Sequence, residues 1–162
     1  MRDFGLRSRE SHAPWDPLRP ADYWDLPTVA ERLRCQVLEA QQERSLCLSF
    51  AEKNDPARII GVANLRNIIR GAMLGCHLGY ALAPDAVGLG FMTEAVARTV
   101  RIAFEDLAMH RVEANVIPRN VRSIAVLQRA GFSAEGLSPR YLRIAGAWED
   151  HIRYAVINEE LR

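Results

Sequence analysis

A period of two runs through residues 74–82 and is the most regular feature of the chain. Apolar residues occupy every second position there: Leu74, Cys76, Leu78, Tyr80 and Leu82. This alternation predicts a β-strand with one face on a core. Two shorter strand-like runs precede it, at 46–50 and 59–68, separated by the turn-forming residues EKNDPAR (52–58). Three neighbouring strands with short connections predict an antiparallel meander.

Three other segments have a helical period. The first spans about Pro27 to Glu43, with an apolar face formed by Val29, Leu33, Val37 and Ala40. The second follows Pro84, and its apolar stripe consists of Met92, Val96, Val100, Ala103 and Leu107. The third covers 120–130, where Asn120 is a candidate N-cap and Gly131 a helix stop.

The remaining strands complete a mixed sheet. RVEANV (111–116) alternates in the same way, and the strand–helix–strand unit 73–116 is long enough for parallel pairing. Two closing strand regions follow at 132–144 and 149–158, joined at AGAWED (145–150). We therefore predict one α+β domain over residues 1–162, with a mixed, mostly antiparallel sheet and helices on its faces.

Composition excludes several classes of protein. The formal net charge of +1 argues against a nucleic-acid partner, and no apolar run is long enough to span a membrane. The N-terminus has no signal-peptide pattern. The three cysteines, Cys35, Cys47 and Cys76, have no metal-ligand spacing, so we interpret them as buried, reduced thiols of a cytoplasmic protein without a metal site.

The stretch VGLGFMTEA (87–95) places two glycines directly before a helix. A dinucleotide fingerprint is a weak interpretation because Thr93 stands where the third glycine belongs, and a P-loop is excluded because no Gly-Lys-Ser/Thr occurs. Two interpretations remain open from these residues alone. One is a turn that needs positive φ, and the other is a pyrophosphate cradle of backbone N–H groups at a helix N-terminus.

The wider pattern resembles the GNAT superfamily of N-acetyltransferases, and within it the RimJ/RimL group of ribosomal-protein alanine N-acetyltransferases. The resemblance covers nearly the whole chain from about residue 10. The segments that carry it are APWDP (13–17), IIGVANL (59–65), LGYAL (78–82), GLGFMTEAV (88–96), HRVEANV (110–116), NVRSIAVLQRAGF (120–132) and EGLSPRYLRIAGAWEDHIRYAVI (135–157).

The resemblance implies a site for acetyl-CoA as co-substrate. It places a backbone donor for the oxyanion at Leu82 or Ala83, and it makes Ser123 the proton donor to the departing thiolate. It also implies a cofactor-binding set of Leu82, Ala83, Val87, Gly88, Leu89, Gly90, Phe91, Met92, Asn120 and Ser123. Asn120 would contact the pantetheine arm. From the residues alone, the favoured interpretation is that Asn120 is a plain N-cap and Ser123 a surface residue.

Two departures from the family bear on the chemistry. Asp85 replaces the first residue of the family's phosphate loop and Leu89 stands between the glycines, so phosphate binding relies on backbone donors. The glutamate base of the RimL type has no counterpart, because Leu142 stands in its place. Candidates for proton transfer are His77, Glu113 and Tyr141, although a structural role is the favoured interpretation of His77. Trp15 and Tyr23 are candidates for the acceptor entrance.

Three functions are compatible with this pattern. The leading hypothesis is acetylation of a protein N-terminus, most simply the N-terminal alanine of a ribosomal protein. The second is acetylation of a small amine or antibiotic. The third is an acyl-CoA-binding module without catalytic activity. A homodimer is compatible with each of them.

The N-terminal segment RDFGLRSRESH (2–12) has no alternating apolar run and resembles the end of the family's first helix. The family's first strand therefore has no counterpart, and we expect an N-terminally shortened domain. Residues 46–50 would then form an exposed sheet edge. Either the natural chain starts upstream of Met1, or another chain covers this edge, or the protein is prone to aggregation.

Overall fold

The computed structural model describes residues 1–161 and contains four α-helices and six β-strands. The helices are α1 (Arg2–His12), α2 (Leu26–Gln41), α3 (Phe91–Arg101) and α4 (Val121–Arg129). The strands are β1 (Leu46–Glu52), β2 (Asp55–Ile69), β3 (Gly75–Leu82), β4 (Arg111–Val116), β5 (Ser133–Ile144) and β6 (Ala147–Ile157). The mixed α+β fold is the one that the pattern predicts.

All six strands form one sheet in the order β1-β2-β3-β4-β6-β5. The first three strands are the predicted antiparallel meander, and β4, β6 and β5 are also antiparallel. Only β3 and β4 are parallel, and their pairing is confined to Gly75–His77 against Arg111–Glu113. Beyond these residues the two strands separate, which opens the sheet at its middle.

Two hairpin turns are tighter than the sequence indicated. The turn predicted over 52–58 is confined to Lys53 and Asn54, because β1 extends to Glu52 and β2 begins at Asp55. The β5–β6 turn consists of Ala145 and Gly146, with φ of 49° and 89°. Positive φ at both central residues matches the right-handed twist of paired strands, so strand pairing extends almost to the turn.

The main core lies between the sheet and the helices α3 and α4. It is built from the apolar stripes predicted for β3, β4 and α3, and its fully buried members include Leu65, Val96, Val112 and Leu127. A smaller packing site joins α1 to the loop before α2. There the ring of Trp24 covers Gly5 so closely that an added Cβ would lie 2.0 Å from it.

Two predicted helices differ from expectation. In α2 only Val29 of the predicted apolar face is buried, whereas Leu33 and Val37 are exposed. The stripe of α3 was expected to continue in α-helical form to Leu107, but the backbone changes to a π-helical turn at 102–106. The longer repeat still brings Ala103 into the core.

The sheet edge at β1 agrees with the expectation, because among residues 1–161 β1 pairs only with β2.

Burial raises the pKa of the Cys76 thiol to about 11 and also raises the pKa of Cys47. The interpretation of all three cysteines as buried is wrong for Cys35, which is exposed on α2. Within residues 1–161, each helix is too short or too polar to cross a membrane.

Candidate active site

A groove of about 1370 Å³ occupies the gap between β3 and β4. Its walls come from the separated strand ends, from the N-terminal turns of α3 and α4, and from the residues around the end of α1. Its lining includes Gly88, Arg122 and Arg129 as well as His12, Trp15 and His151. The groove therefore brings the glycine turn, the end of β3, helix α4 and the loop after α1 together around one cavity.

The glycine pair forms one end of this groove. Gly88 and Gly90 have φ of 89° and 84°, and Gly90 is the N-cap of α3. The first N–H of the helix with an intrahelical acceptor is that of Glu94, which donates to the Gly90 carbonyl at 3.2 Å. The amides of Phe91, Met92 and Thr93 consequently have no partner within the helix, as at any helix N-terminus.

The space around the glycines fits an approaching anion. A Cβ added at Gly88 or at Gly90 would meet no protein atom within 4 Å, so packing alone does not exclude a side chain there. The positive φ satisfies the turn interpretation, and the free amides with the positive end of the helix dipole satisfy the cradle interpretation. Both interpretations describe the same backbone.

Helix α4 forms the facing wall. Asn120 is its N-cap, as predicted, because the Asn120 side-chain oxygen accepts from the Ser123 amide at 3.2 Å. Both residues also line the groove, and Arg122 and Arg129 of the same helix line it further along. These two arginines make this part of the groove more positive than the loop with Asp85 suggested.

Asp85 is held away from the cradle by two arginines. Its carboxylate pairs with Arg58 and lies 3.6 Å from the Arg7 side chain of α1. Arg7 in turn donates to the backbone carbonyl of Ile59 at 2.8 Å. The acidic residue therefore joins the turn at Pro84–Ala86 to α1 and β2, and its charge is neutralised there.

Tyr80 stands behind Ser123 on the neighbouring strand β3. The two hydroxyl oxygens lie 2.7 Å apart, and the Tyr80 hydroxyl is also within 3.1 Å of the Ser123 carbonyl oxygen. Burial is the main cause that raises the pKa of Tyr80 to about 12, while the bond with Ser123 works in the opposite direction. The phenol is therefore protonated at neutral pH and bonded to the serine.

The end of β3 presents one free amide to the groove. The Ala83 amide donates to the Ile60 carbonyl at 2.7 Å, so it is not available as an oxyanion donor. Because backbone groups alternate along a strand, the N–H and C=O of Leu82 point the other way, towards the gap beside β4. The Leu82 carbonyl contacts the His12 ring there, with 2.8 Å between the oxygen and Nε2.

The other end of the groove is formed by the loop after α1 together with β6. Arg119 joins these parts: it donates to Glu149 at 2.8 Å, and its guanidinium carbon lies 5.3 Å from the centre of the Trp15 ring. His151 is almost fully buried and lines the groove, and its ring contacts that of Tyr141 at 5.7 Å between centroids. Tyr141 itself is exposed behind His151 and outside the groove lining.

Two of the candidate proton-transfer residues lie apart from this site. His77 and Glu113 face each other at 3.5 Å where β3 and β4 are still paired, and neither lines the groove. Arg111 also binds Glu113 at 2.6 Å. His77 precedes Leu82 by five residues, which is roughly 16 Å along a strand. Glu113 and Arg111 form an ion pair beside the sheet, and the His77 ring contacts the same carboxylate.

Most of the predicted cofactor-binding residues come together in the groove. Its lining includes Leu82, Val87, Gly88, Gly90, Met92, Asn120 and Ser123, whereas Ala83, Leu89 and Phe91 are not part of it. Tyr23 packs under Arg19 and Arg32 and next to Trp24, away from the groove lining, whereas Trp15 does line it.

Sequence reasoning missed several groove residues, among them His12, Tyr80 and His151. Tyr80 carried a detectable signal, because a tyrosine at a core-facing strand position needs a partner for its hydroxyl. His12 carried none, since its partner Leu82 lies 70 residues away along the chain.

Comparison with known proteins agrees with this geometry. The family described as an acetyltransferase (GNAT) domain matches residues 5–133. The [Ribosomal protein uS5]-alanine N-acetyltransferase of Escherichia coli (strain K12) is 33% identical, over 96% of this chain and 80% of that protein.

Two solved structures are also similar. Ribosomal-protein-S5-alanine acetyltransferase from Vibrio fischeri superimposes with a TM-score of 0.95 at 34% identity, covering 99% of this chain and 87% of the other. Mycobacterium smegmatis RimJ in complex with CoA-disulfide superimposes with a TM-score of 0.90 at 32% identity, covering 99% of this chain and 77% of the other.

Proposed function

The chain belongs to the GNAT acetyltransferase family and is an N-acetyltransferase, and we propose that its acceptor is the α-amino group of a protein that begins with alanine. A ribosomal protein is the simplest such acceptor. The observation that carries the proposal is the groove itself, whose lining joins the glycine turn before α3, the Leu82 end of β3 and the loop after α1. The relatives from E. coli and V. fischeri, whose names specify alanine acetylation, support the choice of acceptor.

One half of the groove suits acetyl-CoA. The amides of Phe91, Met92 and Thr93 and the positive end of the α3 dipole would bind the pyrophosphate, with Arg122 and Arg129 on the facing wall. The neighbour from M. smegmatis, which binds CoA-disulfide, supports this assignment. Asn120 keeps its side-chain NH₂ free for the pantetheine arm, because only its oxygen is used as the N-cap.

Two groups of the chain would act on the acyl group. The Leu82 N–H would donate to the carbonyl oxygen as negative charge develops on it, which is the role of an oxyanion donor. The Ser123 hydroxyl would protonate the departing thiolate, and Tyr80 would return a hydrogen bond to the serine oxygen. Acetyl-CoA supplies the activated acyl group. Leu82 would orient this group, and Ser123 would give a proton to the departing thiolate.

An α-amino group suits a site of this kind. Its reference pKa is about 8, so a usable fraction is neutral at physiological pH. A lysine side chain, with a reference pKa of about 10.4, would need a stronger base. The acceptor end is lined by Glu10 and Asp16 as well as by Trp15, which favours a positively charged polypeptide terminus as it arrives.

The test is a measurement of CoA release with acetyl-CoA and a panel of acceptors. The panel contains peptides that begin with alanine, serine or methionine and carry an internal lysine, together with spermidine. We expect the highest kcat/KM for the alanine peptide, with the acetyl group located on the α-amine by mass spectrometry.

The matched control is the same alanine peptide with a formylated N-terminus, which should not react. Preferential acetylation of spermidine or of the lysine side chain would contradict the proposed acceptor. A protein that binds acetyl-CoA and transfers its acetyl group to none of these amines would contradict it as well.

A further inference from the structure

His12 is the last residue of α1, and its ring contacts the strand end that bears the Leu82 amide. Its Nε2 lies 2.8 Å from the Leu82 carbonyl oxygen. A carbonyl oxygen only accepts hydrogen bonds, so Nε2 carries the proton and donates it. In the neutral imidazole the lone pair is therefore on Nδ1.

The Nδ1 atom is in the right state to accept a proton. Among residues 1–161 it has no hydrogen-bond partner, yet it is not sealed from solvent, in contrast to Nδ1 of His77. The His12 ring also lines the groove, beside Trp15 and Asp16 of the following loop. A water molecule or an amine in this half of the groove can therefore reach it.

Leu82 connects this ring to the reacting carbonyl. The N–H and C=O of one residue in an extended strand point to the same side. The amide that would orient the acyl oxygen and the carbonyl that His12 holds are thus adjacent groups of a single residue. His12 lines the groove together with Glu10, Trp15 and Asp16, the residues of the proposed acceptor end.

We propose that His12 is the general base of the transfer, an inference that rests on the proposed function. The amine lone pair forms the N–C bond with the acyl carbon, and Nδ1 of His12 takes the proton that the nitrogen gives up, directly or through one water. The C–S bond then breaks with its electron pair on sulfur, which takes a proton from Ser123. The serine recovers its proton from solvent, and His12 releases its own to solvent.

His151 is the rival base, because it also lines the groove. Its Nδ1 lies 3.0 Å from the Glu149 carbonyl oxygen, so its lone pair is on Nε2 by the same reasoning. Its side chain, however, belongs to a residue that is only 3% exposed, and the ring is covered by Tyr141. Charged groups on the segments that adjoin His12 include Arg9 and Glu10 of α1, Asp16 of the following loop, Asp85 after β3, Arg119 beside Trp15, and Glu149 of β6.

The test is the pH profile of kcat/KM for an alanine-initiated peptide at saturating acetyl-CoA. The profile reports the ionisation of the free amine and of the enzyme group that must be deprotonated. Histidines have a reference pKa of about 6.5 and α-amines of about 8. Below pH 6 the wild-type logarithmic plot should therefore rise with a slope of two.

The variant His12→Gln distinguishes the two roles of His12, which are to accept a proton and to donate a hydrogen bond to the Leu82 carbonyl. A glutamine NH₂ can still donate to that carbonyl, but it cannot accept the proton. We expect a slope of one, a loss of about 100-fold or more in kcat/KM at pH 7, and an unchanged thermal midpoint. His151→Gln is the matched control and should keep the slope of two.

Two results would overturn the role of His12. One is a slope of two in the plot of log kcat/KM against pH for His12→Gln. The other is a slope of one in the same plot for the wild-type enzyme, and this second measurement does not depend on any variant being folded. If the slope falls from two to one in His151→Gln and stays at two in His12→Gln, the base is His151. If the wild-type enzyme acetylates no peptide N-terminus, it is the proposed acceptor that fails.

Discussion

The hydroxyl oxygens of Tyr80 and Ser123 lie 2.7 Å apart, although 43 positions separate the two residues in the sequence. Strand β3 supplies the tyrosine and helix α4 the serine, and both residues line the groove. The Tyr80 hydroxyl also lies 3.1 Å from the Ser123 carbonyl oxygen, so one phenol contacts both the hydroxyl and the backbone of the serine. The serine is thereby held with its oxygen in the groove.

We predict that Ser123→Ala lowers kcat by about 10- to 100-fold and leaves the dissociation constant of acetyl-CoA nearly unchanged. The physical reason is that a thiolate leaves more slowly when no positioned donor protonates it. Single-turnover kinetics at saturating substrates measures the chemical step, and calorimetry measures binding.

Ser133→Ala, at an exposed serine of β5, is the control and should retain wild-type kinetics. An unaltered single-turnover rate in Ser123→Ala would reduce Ser123 to the structural role that its amide already has in the α4 cap.

Tyr80 should make the stability of the fold depend on alkaline pH. An unfolded tyrosine loses its proton near pH 10, whereas burial holds the pKa of Tyr80 at about 12 in the folded protein. Between these values the unfolded state binds fewer protons, so the free energy of unfolding falls as pH rises. The stabilisation is complete below pH 10 and is lost through pH 12, about 2 to 3 kcal/mol in all.

The variant Tyr80→Phe should lack this part of the pH dependence, as measured by urea unfolding at several values between pH 9 and 12. Tyr141→Phe removes an exposed phenol and serves as the control, with the wild-type dependence retained. Parallel curves for wild type and Tyr80→Phe would contradict the effect of burial.

If backbone amides at the start of α3 bind the pyrophosphate, a side chain at Gly90 should weaken acetyl-CoA binding. Valine there would strain the backbone at φ 84°, so asparagine is the better probe because it tolerates the left-handed region. Gly90→Asn should place a side chain where the pyrophosphate would lie and weaken acetyl-CoA binding at least 10-fold, or about 1.4 kcal/mol.

Gly131→Asn is the matched control for this change. Gly131 has a φ of 86° and, like Gly90, has no atom within 4 Å of an added Cβ, but it lies outside the groove lining. Both variants should therefore lose similar stability, and only Gly90→Asn should lose affinity. Equal affinity of the two folded variants in calorimetry would exclude the cradle.

The sheet edge predicts a pattern of hydrogen exchange. Strand β1 pairs with β2 alone, so about half of its backbone amides have no partner in the sheet. Strand β4 has a neighbour on each side and is the internal reference. We expect alternating fast and slow amides over 46–52 and slow exchange in β4. Uniform slow exchange across β1 in a protein shown to be monomeric by sedimentation would contradict this expectation.

The predictions from sequence succeeded where the cause is local. The alternation over 75–82 depends on side chains two residues apart, and the α4 cap joins Asn120 to a residue three positions later. The positive φ at Gly88 and Gly90 is likewise a property of the adjacent backbone. Such features follow from short-range sterics and hydrogen bonds, which a single sequence displays.

The predictions were incomplete where distant segments meet. A helical stripe on α2 indicates an apolar face, but Leu33 and Val37 lie on the exposed side because only the region around Val29 finds cover. The periodicity of β3 places both His77 and Leu82 on one strand, but it does not indicate which of them lies in the groove. Only the separation of β3 from β4 leaves His77 beside the Glu113–Arg111 ion pair and Leu82 in the groove.

The sequence by itself determined the order of α2, α3, α4 and the six strands, the glycine turn before α3, the cap of α4 and the family, whereas α1 was indicated only by the family resemblance. The tertiary structure alone decided which side chains reach the reacting centre. Tyr80 meets Ser123, and His12 meets Leu82, in the part of the sheet where β3 and β4 are no longer paired. These are contacts between segments that are 43 and 70 residues apart, and no local periodicity encodes them.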